Sequence, residues 1–164
     1  MKLCIKIDTP EEGDPPSPLS PDVIRKLEST FEDELPLLCK KLEDYADVEV
    51  SVSFLNSAEM RELNKHHRGL DEATDVLTFP LWAEEERLAL PVPLLPLGDI
   101  VICPQEAERE HAPMTCVEAL CLVLAHGFLH LLGWDHDTPE KEQAMWDRQE
   151  LLKAKLLGAV EEVS

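Results

Sequence analysis

Between residues 48 and 54 apolar and polar side chains alternate, with Val48, Val50, Val52 and Phe54 set against Glu49, Ser51 and Ser53. A period of two predicts a half-buried strand. Residues 3–7 predict a short first strand, residues 74–79 another and residues 97–103 a fourth. Helical spacing fills the intervals. Ser20 caps a helix opened by Pro21, with Val23, Leu27 and Phe31 on its inner face and Pro36 kinking or ending it. A second helical stretch runs to about residue 45. Asn56 and Glu59 form a capping box for the helix that carries Arg61 and Lys65. Pro104 opens a short acidic helix to about residue 111, and Thr115 with Glu118 boxes the start of the next. That next helix is apolar on every side over residues 119–125, which places it at the centre of the fold. Asp137, Thr138 and Pro139 start a last helix ending near Gly158, within which Met145 either packs beneath a site or serves as plain core.

Two segments interrupt this pattern. Residues 10–18 are rich in proline and acidic groups and read as a loop. Pro80, Pro91, Pro93 and Pro96 mark a longer connection that contains Trp82 and an acidic run. Such a length is either a functional lid, with Trp82 stacking on a base, or a loop anchored by a buried Trp82. Strands and helices intermixed over one span of residues 1–164 predict a single α+β (α/β-like) domain, a four-stranded mixed sheet packed with about five helices. No run of apolar residues reaches membrane-spanning length, and the start MKLCIKIDTP lacks the apolar stretch of a signal peptide. A cytoplasmic protein without a membrane partner is expected. The five cysteines (Cys4, Cys39, Cys103, Cys116 and Cys121) include no CxxC pair and read as buried thiols.

Candidate chemistry is concentrated in the run His126-Gly127-Phe128-Leu129-His130-Leu131-Leu132-Gly133-Trp134-Asp135-His136. His126 and His130 are four apart and share one helical face. Gly133 can take a left-handed cap, so that the reversed chain returns His136 to the same point. Three neutral imidazoles at the end of the central helix suit one Zn²⁺ per chain, with a fourth position open. The spacing is also that of zinc peptidases, but Gly127 stands where their catalytic Glu would be. Without that base the peptidase chemistry fails while the metal site remains. Half of the six histidines fall in this window, which argues against ordinary core or surface residues.

Net charge is −19, which repels a phosphate backbone. A protein of this charge that binds any polyanion must concentrate its few cations. Arg61, Lys65 and Arg68 recur on one short helical segment beside His66 and His67. They form either a local positive cleft or a solvated helix face, and spacing alone does not choose.

Three blocks carry a resemblance. HGFLHLLGWDH is similar to the HGxLHLxGYDH signature of the YbeY family, single-strand-specific endoribonucleases of bacterial rRNA maturation. Residues 63–80, LNKHHRGLDEATDVLTFP, resemble that family's LNxxYRGxDxPTDVLSFP, and Gly98-Asp99-Ile100-Val101-Ile102 stands where it has GDIxI. His67, Ala73, Thr78 and Trp134 depart from the pattern, and none is a metal ligand. The resemblance implies the same α+β fold, zinc on His126, His130 and His136, and single-stranded RNA or rRNA as substrate. It also implies action at the 3′ end of 16S rRNA and in ribosome quality control. The small ribosomal subunit, one of its proteins and an Era-type GTPase are the implied partners. Arg68 would be the catalytic or phosphate-gripping residue, since a guanidinium matches phosphate oxygens bidentately. Lys65 and Arg61 would assist in binding. Asp135, beside a ligand, either orients an imidazole or takes a proton, or else shapes the turn. Two alternatives stand beside this reading: a metal-dependent hydrolase of a non-RNA substrate, with Asp135 or Asp75 as base, and a non-enzymatic assembly factor in which zinc is structural. The acidic surface suits docking to basic ribosomal proteins.

Overall fold

The structure is a computed structural model and describes residues 2–7, 18–38, 47–81 and 94–163. Four strands, β1 (Lys2–Ile7), β2 (Asp47–Phe54), β3 (Val76–Pro80) and β4 (Leu94–Ile102), form one mixed sheet in the order β1-β2-β4-β3. β1, β2 and β4 are parallel, and β3 runs antiparallel on the β4 edge. Five helices are described: α1 (Pro21–Leu38), α2 (Ser57–Arg68), α3 (Pro104–Glu110), α4 (Cys116–Leu131) and α5 (Pro139–Glu161). The α+β fold with a four-stranded mixed sheet and five helices is as the patterning predicts.

Alternation in the strands divides the core in two. Val48, Val50 and Val52 of β2 and Ile100 and Ile102 of β4 join the main core with Leu27, Phe31, Phe128 and Leu129. Because neighbouring strand residues face opposite ways, Val101 and Leu77 fall on the other side, in a smaller cluster with Met60 of α2. So α1, α4 and α5 share one core with the sheet, while α2 covers its opposite face beside β3 and β4. Both faces of the β3–β4 edge are thus apolar, which holds the ends of α2 and α4 in fixed relation.

Several boundaries differ from the expectation, each for a local reason. Pro36 lies inside α1, which continues to Leu38. β3 begins at Val76 and not at residue 74, because the Asp75 carboxylate accepts the Val76 N–H at 2.8 Å and bends the chain there. β4 begins earlier, at Leu94, and accommodates Pro96 at an irregularity where the register with β2 shifts between Glu49 and Val50. The capping box of Asn56 and Glu59 is present in both directions. At Thr115 the hydroxyl accepts the Glu118 N–H at 3.2 Å. α5 runs through Gly158 to Glu161. Of the cysteines, Cys103 and Cys121 are buried and Cys116 is half-buried, but Cys4 is exposed, since it alternates with buried Leu3 on β1. Burial pushes the Cys121 thiol up to about 11. The helical stretch expected up to residue 45, Cys39, the loop at residues 10–17 and Trp82 lie outside the described residues. No helix among those described is long and apolar enough to cross a membrane.

Candidate metal centre

α4 is apolar all round because it is surrounded: Ala119 to Ala125 are all buried. Its close approach to the sheet explains Gly127. A Cβ at that position would stand 3.0 Å from Ile100 Cγ2 and 3.2 Å from Thr78 Cγ2, so the helix backbone rests closely on β3 and β4 and a larger residue would have to push these side chains aside. Glycine in place of the peptidase glutamate thus lets α4 pack closely on the sheet. At the other end Gly133 adopts φ 96°. Its N–H reaches the His130 carbonyl at 3.0 Å and the Trp134 N–H reaches the Leu129 carbonyl at 3.0 Å, the paired bonds of a Schellman turn. That turn brings His136 back over the helix end.

The same turn orients a ligand. His130 Nδ1 lies 3.0 Å from the Trp134 carbonyl oxygen, and His126 Nδ1 lies 2.7 Å from Gln149 Oε1 on α5. Both partners are acceptors, so both Nδ1 atoms carry the ring proton and both Nε2 atoms present lone pairs. Those two Nε2 atoms are 3.1 Å apart. Two lone pairs at that distance repel unless a cation lies between them. Nitrogens about 2.0–2.1 Å from a tetrahedral zinc stand roughly 3.3 Å apart, close to what is seen. His136 completes the set, with the three ligand atoms within 4.8 Å of one another. Burial lowers the affinity of His126 and His130 for protons, which keeps them neutral and able to ligate. The donor set thus fits a zinc ion, with His126, His130 and His136 to hold it.

Support comes from α5, of which the sequence pattern singled out only Met145. Gln149, only 6% exposed, fixes the His126 ring. Trp146, one turn earlier, stacks on His136 with ring centroids 6.2 Å apart and planes 10° from parallel. Met145 belongs to the main core, fully buried. A glutamine and a tryptophan three apart on one helix face were the available signal for this support.

The histidines open into a cavity of about 590 Å³ that is also lined by His67, Arg68, Asp75 and His111. Arg68 stands at the last turn of α2, released toward the cavity by Gly69, whose φ of 74° ends the helix. His67 packs on Phe79 with ring centroids 4.5 Å apart. The other two cations of that helix are placed differently. Arg61 is engaged by Asp71, Nε to Oδ1 at 2.8 Å and Nη2 to Oδ2 at 3.2 Å, which holds the Asp71 carboxyl below its ordinary range. Neither Arg61 nor the exposed Lys65 lines the cavity. Asp135 is exposed, and its Oδ1 accepts the His136 N–H at 2.7 Å, the turn-shaping arrangement. One further pair went unanticipated by the spacing. Asp75 Oδ2 lies 2.8 Å from His111 Nε2 across 36 residues, so no local motif joins them.

A mixed four-stranded sheet with a three-histidine helix-turn centre and a cavity edged by arginine defines the class: an α+β domain with a candidate metal site. Residues 20–157 match the family model described as Endoribonuclease YbeY, and the chain belongs to that family. It is 36% identical over 142 residues to an Endoribonuclease YbeY of Caldanaerobacter subterraneus, covering 82% of this chain and 85% of that protein. A homologue of the same description from Shouchella clausii is 42% identical over 124 residues, 69% of this chain and 76% of its own. A solution structure of a Thermotoga maritima protein matches with a TM-score of 0.56 and 31% identity, over 94% of this chain and 90% of that one.

Proposed function

We propose that the protein is a cytoplasmic, zinc-dependent, single-strand-specific endoribonuclease, one domain over residues 1–164, acting in maturation of the 16S rRNA 3′ end and in ribosome quality control. RNA cleavage follows from the family; the observation that carries the metal is the 3.1 Å approach of two imidazole nitrogens whose rings are both anchored from behind. Zinc held by His126, His130 and His136 would supply Lewis-acid polarisation of a phosphoryl oxygen. Arg68, at the cavity edge, would grip the phosphate and stabilise the charge that grows as the bond breaks. The cavity gathers one arginine and five histidines with a single carboxylate among its described lining residues, so few of the acidic groups behind the −19 of the whole chain face it. That overall charge keeps unaided affinity for RNA low and suits docking on basic partners, for which the small ribosomal subunit, one of its proteins and an Era-type GTPase are proposed.

The test is Arg68→Glu assayed on single-stranded RNA beside the parent. Zinc content and melting temperature should stay near parental, because Arg68 is an exposed helix-end residue. Cleavage should fall on the order of a hundredfold or more. An Arg68→Glu protein that cuts at the parental rate with zinc intact removes Arg68 from the mechanism. A parent that cuts no RNA with any metal or partner, yet binds small subunits, gives way to a non-enzymatic assembly factor.

A further inference from the structure

We propose that His111, oriented by Asp75, is the proton-transfer residue of the cleavage reaction and takes the proton from the oxygen that attacks phosphorus. The inference rests on the endoribonuclease reading above. His111 and Asp75 line the same cavity as Arg68 and the three candidate ligands. Both are pinned by their backbones. The His111 N–H reaches the Ala107 carbonyl at 3.1 Å and its carbonyl accepts the Met114 N–H at 2.9 Å, while the Asp75 carbonyl accepts the Cys103 N–H at 2.9 Å. The two side chains are 27% and 17% exposed, reachable from the cavity and shielded from bulk water.

The tautomer follows from the partners. Asp75 Oδ1 already accepts from Val76 N–H at 2.8 Å and from the Thr74 hydroxyl at 3.3 Å, so its carboxylate is held in one orientation. Oδ2 takes the Nε2–H of His111 at 2.8 Å. With Nε2 committed as a donor, the neutral ring carries its lone pair on Nδ1. A carboxylate that fixes one ring nitrogen and leaves the other basic is the arrangement that makes a histidine an effective base. Asp75 itself is occupied at both oxygens, and Asp135 is exposed and used by the His136 backbone. Glu110 brings a third ligand-type atom within 4.8 Å of the pair. A second cation there would need the lone pair of His111 Nε2, which the bond to Asp75 has filled with a proton.

In the step, the attacking hydroxyl, of water or of the substrate's own 2′ carbon, loses its proton to His111 Nδ1 as its oxygen bonds to phosphorus. The phosphorus bond to the departing ribose oxygen breaks. That oxygen then receives the proton from the imidazolium, directly or through one water, and His111 returns to its neutral form. Asp75 acts through His111 and is a positioning residue.

The experiment uses the zinc-loaded full chain on single-stranded RNA, with zinc content and melting temperature measured on every variant. His111→Ala should lower kcat on the order of 10²- to 10⁴-fold with KM near parental. Added imidazole should restore part of that loss with saturation. His111→Gln keeps a donor for Asp75 but no base, and should be as slow as His111→Ala. Asp75→Asn should lower kcat without rescue by imidazole. A His111→Gln protein at the parental rate shows a merely structural role and overturns the proposal. So does a slow His111→Ala protein that imidazole leaves unchanged, or a parent binding two zinc ions of which His111→Ala loses one. A parent inert on all RNA overturns the nuclease reading and this inference together, and is recognised because the defect appears before any substitution.

Discussion

The two walls of the cavity differ in how their residues are held. On the wall built by α4 and α5, His126 and His130 are fixed through Nδ1 as well as through the helix, and both are about half-buried. On the wall built by the end of α2, Arg68 is exposed at a helix terminus. A metal demands a rigid donor set, because misplaced lone pairs do not ligate. A phosphate that must enter and leave is better met by a long side chain that can follow it. The difference separates two kinds of sensitivity: substitutions on the first wall should show in metal content and stability, and those on the second in turnover alone.

The strongest test of that division is the double variant His126→Ala, His130→Ala, which should lose bound zinc and all cleavage, measured by elemental analysis of the purified protein and by RNA assay. Equal metal content in the double variant would sink the three-histidine site. Gln149→Ala keeps the ligands but frees the His126 ring, and should weaken zinc binding about 10- to 100-fold in a chelator competition. Zinc affinity equal to the parent would show that the anchoring is incidental. Gly127→Ala probes the packing beneath the same wall. Its Cβ meets Ile100 at 3.0 Å, so overpacking should cost about 1–3 kcal/mol, read by denaturant unfolding. The smallest effect is on pH. His126 and His130 have proton affinities lowered by burial from an ordinary pKa of 6.5, so the unfolded chain protonates first as pH falls. The stability of the metal-free protein is therefore full above that value and declines as pH drops through the lower folded-state range. A metal-free melting temperature that rises on acidification contradicts this sign.

How much of this was legible depends on sequence distance. His126, His130, Gly133 and His136 lie within one helix and one turn, where spacing alone determines which side chains meet, and the structure places their ligand atoms together. The alternation of β2 and the box at Asn56 and Glu59 were legible for the same reason. Gln149 and Trp146 were not, since they reach the histidines only through the packing of α5 on α4. The Asp75 to His111 bond joins the approach to β3 with the end of α3, and nothing in either neighbourhood announces the other. Arg61 shows the converse. Its helical spacing from Arg68 left a cationic cleft and a solvated helix face both open, and Asp71, supplied by the turn after α2, engages it away from the cavity.

The central claim is that His126, His130 and His136 hold one zinc ion and leave a position open to substrate. X-ray absorption at the zinc edge of the loaded protein tests it most directly. One ion per chain with three imidazole nitrogens at about 2.0–2.1 Å and one light, exchangeable fourth ligand is the predicted result. Four protein donors, sulfur in the coordination shell, or an unchanged spectrum after replacement of His136 would contradict the account.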